Sequence, residues 1–271
     1  MNLFYGFLSG SDNLPKTFTK ENGETIQITH HLQKASHLLG GFEMDFIKNF
    51  EITIEAYQKY FNQLTNLNRD KIYDDNLQNS DKPDNLKKDF IIEKGWARGC
   101  DFVFKYDRKR FYFWTIYSLS VNQRWDGTQT YHPVWDRRHN INLVSSYTFG
   151  KKRNWEVNAR WNYGSGFPFT PTQGYFPSLN TGSNLGVDPT SMNGSLGYIS
   201  GPLNSQRLSD YHRLDLSVKW KYNWREHNTL EVTAGCTNAY NRKNIFYRAR
   251  DTGKKVYQLP ILPNLNVSCT F

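Results

Sequence analysis

Apolar and polar residues alternate with a period of two along most of this 271-residue chain. That period belongs to strands with one face in an apolar medium and the other in water. The clearest run has Trp155, Val157, Ala159, Trp161 and Tyr163 on one phase, and Glu156, Asn158, Arg160 and Asn162 on the other. On a helix of 3.6 residues per turn those aromatics would scatter around the axis. The same alternation predicts about ten strands, near residues 3–8, 35–47, 50–61, 95–106, 110–124, 139–149, 155–163, 213–222, 230–237 and 262–271. In the fifth, Phe111 to Trp114 are apolar on both phases, so the pattern leaves its outward face open.

The lengths of the connections carry a second pattern. Long polar segments, rich in Gly, Pro, Asn and Ser, follow the odd-numbered strands, and links of a few residues follow the even-numbered ones. A soluble sandwich has no reason to sort its loops this way. A transmembrane β-barrel does, with long extracellular loops and short periplasmic turns. The expected fold is therefore all-β: an antiparallel transmembrane β-barrel occupying residues 1–271 as one domain.

Composition agrees with this. Aromatic residues reach 16% of the chain while its mean hydropathy is −0.73. There is no apolar run of about 18 residues, which a transmembrane helix needs. Barrels combine the two features because only every second strand residue faces lipid and aromatic girdles mark the interfaces. The net charge of +9 would admit a nucleic-acid or anionic-membrane partner. Much of it sits at short turns, in Arg108, Lys109 and Arg110 and in Lys151, Lys152 and Arg153, where solvated basic residues need no nucleic acid. Three scattered cysteines, Cys100, Cys236 and Cys269, form neither a disulfide framework nor a zinc site and fall on apolar phases. Residues 1–8 read as a strand and not as a signal peptide, since no basic residue precedes them and no small-residue cleavage site follows.

Several stretches resemble the C-terminal barrel of TonB-dependent outer-membrane receptors of the type common in Bacteroidetes-like bacteria. They are NQLTNLN (62–68), WDRRHNINL (135–143), RWNYGSGFPFTPTQG (160–174), YHRLDL (211–216), TNAYNRKNIF (237–246) and QLPILP (258–263), followed by the terminal strand. The resemblance implies a 22-stranded barrel plugged by an N-terminal domain, importing scarce ligands with energy delivered by TonB. About ten strands are present here, so the chain reads as the C-terminal portion, lacking signal peptide, plug and the first half of the barrel. The implied function is non-catalytic transport of a siderophore, metal complex, vitamin or glycan. The alternatives are an autonomous ten-stranded barrel acting as a pore or surface hydrolase, and a basic soluble β-protein binding nucleic acid.

The candidate functional residues follow from these patterns. Phe167, Phe169, Tyr175 and Phe176 sit in the longest connection, where they could touch ligand or pack within the loop. Arg160, Arg213, Asp215, Lys219 and Glu231 lie on the polar phase and predict a lumen-facing charge network. The stretches Asp136–His139 and Asp210–Asp215 hold histidines beside carboxylates, the makings of a hydrolytic pair, but no nucleophile or metal-ligand spacing accompanies them. They are expected instead to fix strand register. No catalytic residue, cofactor or metal is expected. The expected partners are outer-membrane lipid and the outer-membrane assembly machinery, with plug and TonB system only in a full-length receptor. Phe271, a bare terminal aromatic on the last strand, is implied by the resemblance to be the signal that the assembly machinery reads.

Overall fold

The computed structural model describes the chain except for residues 1, 11–12, 20–24, 32, 46–47, 179–194, 225–227 and 251. Side chains are described from residue 33 onward, apart from those of 177–178 and 195–196. Among the described residues the principal sheet has eleven strands, ten of them along its main path: β1 (Asn2–Gly10), β2 (Lys34–Met44), β3 (Phe50–Leu67), β4 (Phe90–Arg108), β5 (Phe111–Trp125), β6 (His139–Phe149), β7 (Trp155–Gly164), β8 (Tyr211–Asn223), β9 (Thr229–Thr237) and β10 (Leu262–Thr270), with the short strand Thr130–Tyr131 paired to β5 off that path. All ten match strands expected from alternation. The Phe46–Ile47 end of the second predicted strand lies outside the described residues. No helix among the described residues is long and apolar enough to cross a membrane, which says nothing of strands.

Two compact units divide the chain. The first comprises residues 1–44, 53–101 and 120–133, and the second residues 45–52, 102–119 and 134–271. In the first, the strand order is β1-β2-β3-β4-β5. β1 runs antiparallel to β2, with Leu3 opposite Phe42 and Gly10 opposite Ala35. In the second, the order is β3-β4-β5-β6-β7-β8-β9-β10, each strand beside its neighbour in sequence. Such a meander needs only local connections, which is why alternation and turn spacing suffice to specify it.

The short links are tight. Lys109 alone carries the left-handed backbone (φ 47°) that reverses β4 into β5, and Asn49 (φ 77°) does so before β3. Gly150 (φ 91°) and Arg153 (φ 53°) share the reversal from β6 to β7. Asparagine and glycine tolerate positive φ, whereas lysine and arginine do so at a cost of about 1 kcal/mol.

The long connections differ from expectation in one respect: they are partly structured. Residues 13–31 hold a strand pair, Asn13–Thr19 with Thr25–His31. Further short pairs join Thr172–Ser178 to Ser195–Ser200, Pro168–Phe169 to Gln206–Arg207, and Ile245–Arg248 to Lys255–Tyr257. β3 and β4 also outrun their predicted ends at Phe61 and Gly95, reaching Leu67 and back to Phe90. The hydrophilic composition of 62–93 hid those extensions, because strands projecting beyond an apolar band need no apolar phase.

Candidate functional site

In the second unit the two phases of each strand separate as alternation requires. Val157, Leu216 and Val218 are exposed on one face, while their polar neighbours pair across strands on the other. Glu156 stands opposite Lys219 and Lys221 opposite Glu231, with ion pairs of 3.4 and 3.2 Å. Arg160 is in register with Asp215, yet the carboxylate is held at 2.8 Å by Arg213, two residues along the same strand. Of the five predicted network residues, Arg213 and Asp215 pair with each other, Lys219 and Glu231 pair with Glu156 and Lys221, and Arg160 has no ion-pair partner among the described residues. Part-exposed pairs such as these contribute at most about 1 kcal/mol each. Their main effect is to keep register and a hydrophilic wall.

Above this wall a cleft of about 380 Å³ opens among Arg137, Arg160, Arg213, Asn142 and Tyr211. Arg137 sets its roof, with the guanidinium 4.1 Å from the centre of the Phe167 ring and 5.7 Å from that of Tyr211. Burial lowers the Arg137 pKa from the usual arginine range, but an arginine so placed stays charged.

A second cleft, of about 520 Å³, lies between the two last long connections. Phe167, Phe169, Phe246 and Tyr247 supply flat apolar walls, and Arg248 and Arg250 stand at its edge. The sequence candidates divide here. Phe167 and Phe169 line this cleft, whereas Tyr175 and Phe176, both about half exposed, sit on the neighbouring strand pair away from it.

Close backbone contact builds the cleft. A Cβ on Gly166 would lie 1.6 Å from the Leu208 carbonyl oxygen, so only glycine lets these segments meet. Asp210 Oδ1 accepts the Gly166 amide at 3.0 Å, and its Oδ2 accepts the Tyr163 hydroxyl at 2.7 Å. Arg207 donates to the Asp136 side chain, to the Asp136 carbonyl at 2.9 Å and to the Gly166 carbonyl at 3.1 Å. Asp136 is fully buried. The final connection is anchored by Asn238, also fully buried and left-handed (φ 55°). Its side chain donates to the carbonyls of Arg242 and Leu259 at 3.0 and 3.1 Å and accepts the Arg242 amide at 3.0 Å.

The histidine–carboxylate stretches form no hydrolytic pair. His139 Nδ1 meets the Tyr117 hydroxyl at 2.9 Å, and His212 Nδ1 meets that of Tyr240 at 2.7 Å. Asp136 and Asp210 instead dock loops, a different task from the register-setting expected of them. Among the described residues no cluster of three or more His, Cys, Asp or Glu could hold a metal ion.

Sequence reading missed a second fully buried carboxylate. Glu93, fully buried at the head of β4 in the first unit, accepts from the Tyr131 hydroxyl at 2.7 and 2.8 Å, from Asn66 at 2.9 Å and from Arg124 at 3.2 Å. Arg69 stands 3.7 Å away. Burial pushes the Tyr131 phenol pKa up, and the adjacent Glu93 carboxylate adds to this while Arg69 opposes it, so the hydroxyl stays a donor. No spacing rule links residues 66, 93, 124 and 131. The polar ends of β3, β4 and β5 bring three of them together, and Tyr131 joins them from the short strand Thr130–Tyr131, where it pairs with Arg124.

The aromatic rings mark a line across the sheet at its short-turn end. Phe50 lies 4.4 Å from Tyr106, and Tyr106 5.9 Å from Phe111. Phe111 faces Tyr147 in register. From there the line runs through Phe149, Trp155, Trp220, Tyr222 and Trp224 to Phe271, with successive ring centres 5.7–6.5 Å apart. Tyr163 lies at the other end of β7, eight residues from Trp155. That is about 26 Å along a strand, or roughly 20 Å of height at the usual tilt, close to the apolar band of an outer-membrane barrel.

A meandering antiparallel sheet with one apolar face, an aromatic line and sorted loop lengths has the architecture of a β-barrel wall. Solved structures give the fold more closely. The chain is similar to the Pseudomonas aeruginosa receptor FpvA bound to a heterologous pyoverdine, with a TM-score of 0.60 and 11% identity over 99% of this chain. It is also similar to the ferripyoverdine receptor of the outer membrane of Pseudomonas aeruginosa bound to ferripyoverdine, with a TM-score of 0.56 and 12% identity over 98% of this chain. It spans only 30% of each of those receptor chains. No family model matches the sequence, and no curated protein does. At such low identity the likeness establishes fold alone: an antiparallel sheet built like part of the barrel of those receptors.

Proposed function

We propose that this chain is the C-terminal barrel portion of a TonB-dependent outer-membrane receptor that imports a scarce ligand without catalysis. The observation that carries the reading is the match over 99% of the chain to a receptor barrel, on a sheet whose exposed phase is apolar and whose short-turn end bears an aromatic line. In this reading the polar wall of Glu156, Arg160, Arg213, Asp215, Lys219 and Glu231 faces the plug of the complete receptor. The cleft of Phe167, Phe169, Phe246, Arg248 and Arg250 belongs to the ligand-facing mouth. Flat apolar walls beside two guanidinium groups suit a ligand with planar apolar and anionic parts, such as a siderophore or another metal complex.

The test is fractionation of Gram-negative cells expressing the chain behind a supplied secretion signal. The chain should sediment with the outer membrane, resist extraction by urea and migrate faster in unheated than in heated samples. Recovery as a folded soluble protein would overturn the reading.

A further inference from the structure

Two basic turns lie side by side beneath the aromatic line. The β4–β5 turn carries Arg108, Lys109 and Arg110, and the β6–β7 turn carries Lys151, Lys152 and Arg153, all six exposed. A backbone hydrogen bond of 2.8 Å from the Thr148 amide to the Arg110 carbonyl ties one turn to the strand that leads into the other. None of the six is in an ion pair among the described residues, and two nearby glutamates are taken by other lysines. Glu51 is held by Lys105 at 3.0 Å and Glu156 by Lys219 at 3.4 Å. Asp107 is the one acidic residue within either turn. Directly above the cations stand exposed Phe111, Tyr147, Phe149 and Trp155.

We propose that these two turns form a binding rim for the headgroups of anionic phospholipids in the leaflet at the short-turn end of the sheet. The inference rests on the membrane reading above. Aromatic rings of this kind settle at the boundary between acyl chains and headgroups. That fixes the depth of the turns one layer further out, where phosphodiesters lie. Cations at that depth meet lipid phosphates at short range, and each lysine or arginine near an anionic surface strengthens attraction by about fivefold. Charge complementarity therefore selects acidic over zwitterionic lipid. The reach of arginine and lysine side chains lets them remain in the headgroup layer while their stems cover apolar surface.

The test compares the full chain, reconstituted in phosphatidylcholine bilayers, for its association with spin-labelled phosphatidylglycerol and spin-labelled phosphatidylcholine. The charge-neutral variant carries Arg108→Gln, Lys109→Asn, Arg110→Gln, Lys151→Gln, Lys152→Gln and Arg153→Asn. Asparagine is used at 109 and 153 because both positions have positive φ. A control variant replaces Lys71, Lys82, Lys87 and Lys88 of the β3–β4 connection by glutamine. The unaltered chain should immobilise phosphatidylglycerol about fivefold more strongly than phosphatidylcholine, weakening in high salt. The control should keep that preference and the six-site variant should lose it. Equal immobilisation of both lipids by the unaltered chain, or an equal loss in the control, overturns the rim while leaving the membrane reading intact. No immobilised lipid of either kind would overturn both.

Discussion

At the scale of single residues, the positions that matter most are polar and buried. Glu93 has no exposed surface and satisfies its oxygens with three kinds of donor, Tyr131, Asn66 and Arg124. Removing one partner of such a cluster leaves the rest desolvated and uncompensated, which costs about 3–5 kcal/mol. Glu93→Ala should therefore lower the unfolding free energy, read from the urea midpoint and slope, by that order. Glu93→Gln, which keeps an acceptor for Tyr131, should lose less. Equal midpoints for both variants and the unaltered chain would show that the cluster is not structural. Gly166 and Asn238 belong to the same scale. Both sit in stretches quoted for the family resemblance, so their positions were visible in sequence. The reasons were not: a carbonyl 1.6 Å from where a Cβ would stand, and a left-handed backbone tied to two distant carbonyls.

At the scale of strands, the two faces should respond differently to charge. Leu216 is exposed on the apolar face near the middle of β8, while Ser217 points to the polar face. In lipid, Leu216→Arg should cost about 2–4 kcal/mol, the usual cost of arginine on the lipid face near the midplane, and Ser217→Arg should cost little. Unfolding titrations of both variants in bilayers give the comparison, and equal costs would contradict the assigned faces. The strands were legible because period-two alternation is local. It failed where its cause was missing. Residues 62–67 and 90–94 extend strands beyond the apolar band and read as loop. The aromatic run 111–114 left its face open until register was known. Pairing of Phe111 with Tyr147 and stacking of Phe102 on Tyr117 at 6.1 Å place the odd phase of β5 outward.

At the scale of the molecule, β10 closes the strand order of the second unit, paired along one side with β9 and exposed throughout. Phe271 ends the aromatic line, 85% exposed, with its ring edge-on to Trp224 at 6.4 Å. Resemblance makes this residue an assembly signal. Deleting Phe271 should leave more of the chain heat-unmodifiable in membrane fractions, by several-fold, with little effect on the stability of chains that do assemble. Unchanged migration would refute that role. A purely packing role would instead lower stability and leave assembly yield alone.

The sequence by itself determined the apolar and polar phases of most strands, the ten strands of the meander and which connections are long. Each depends on periodicity or spacing within a few residues, and a meander keeps sequence neighbours as spatial neighbours. Only the tertiary structure decided which charges meet, which loop aromatics share a cleft and where the fully buried Glu93 finds its partners. Many of those contacts join residues far apart in sequence, 27 positions for Asn66 with Glu93 and 71 for Arg207 with Asp136, and their geometry depends on register and on how loops dock, which no local pattern encodes.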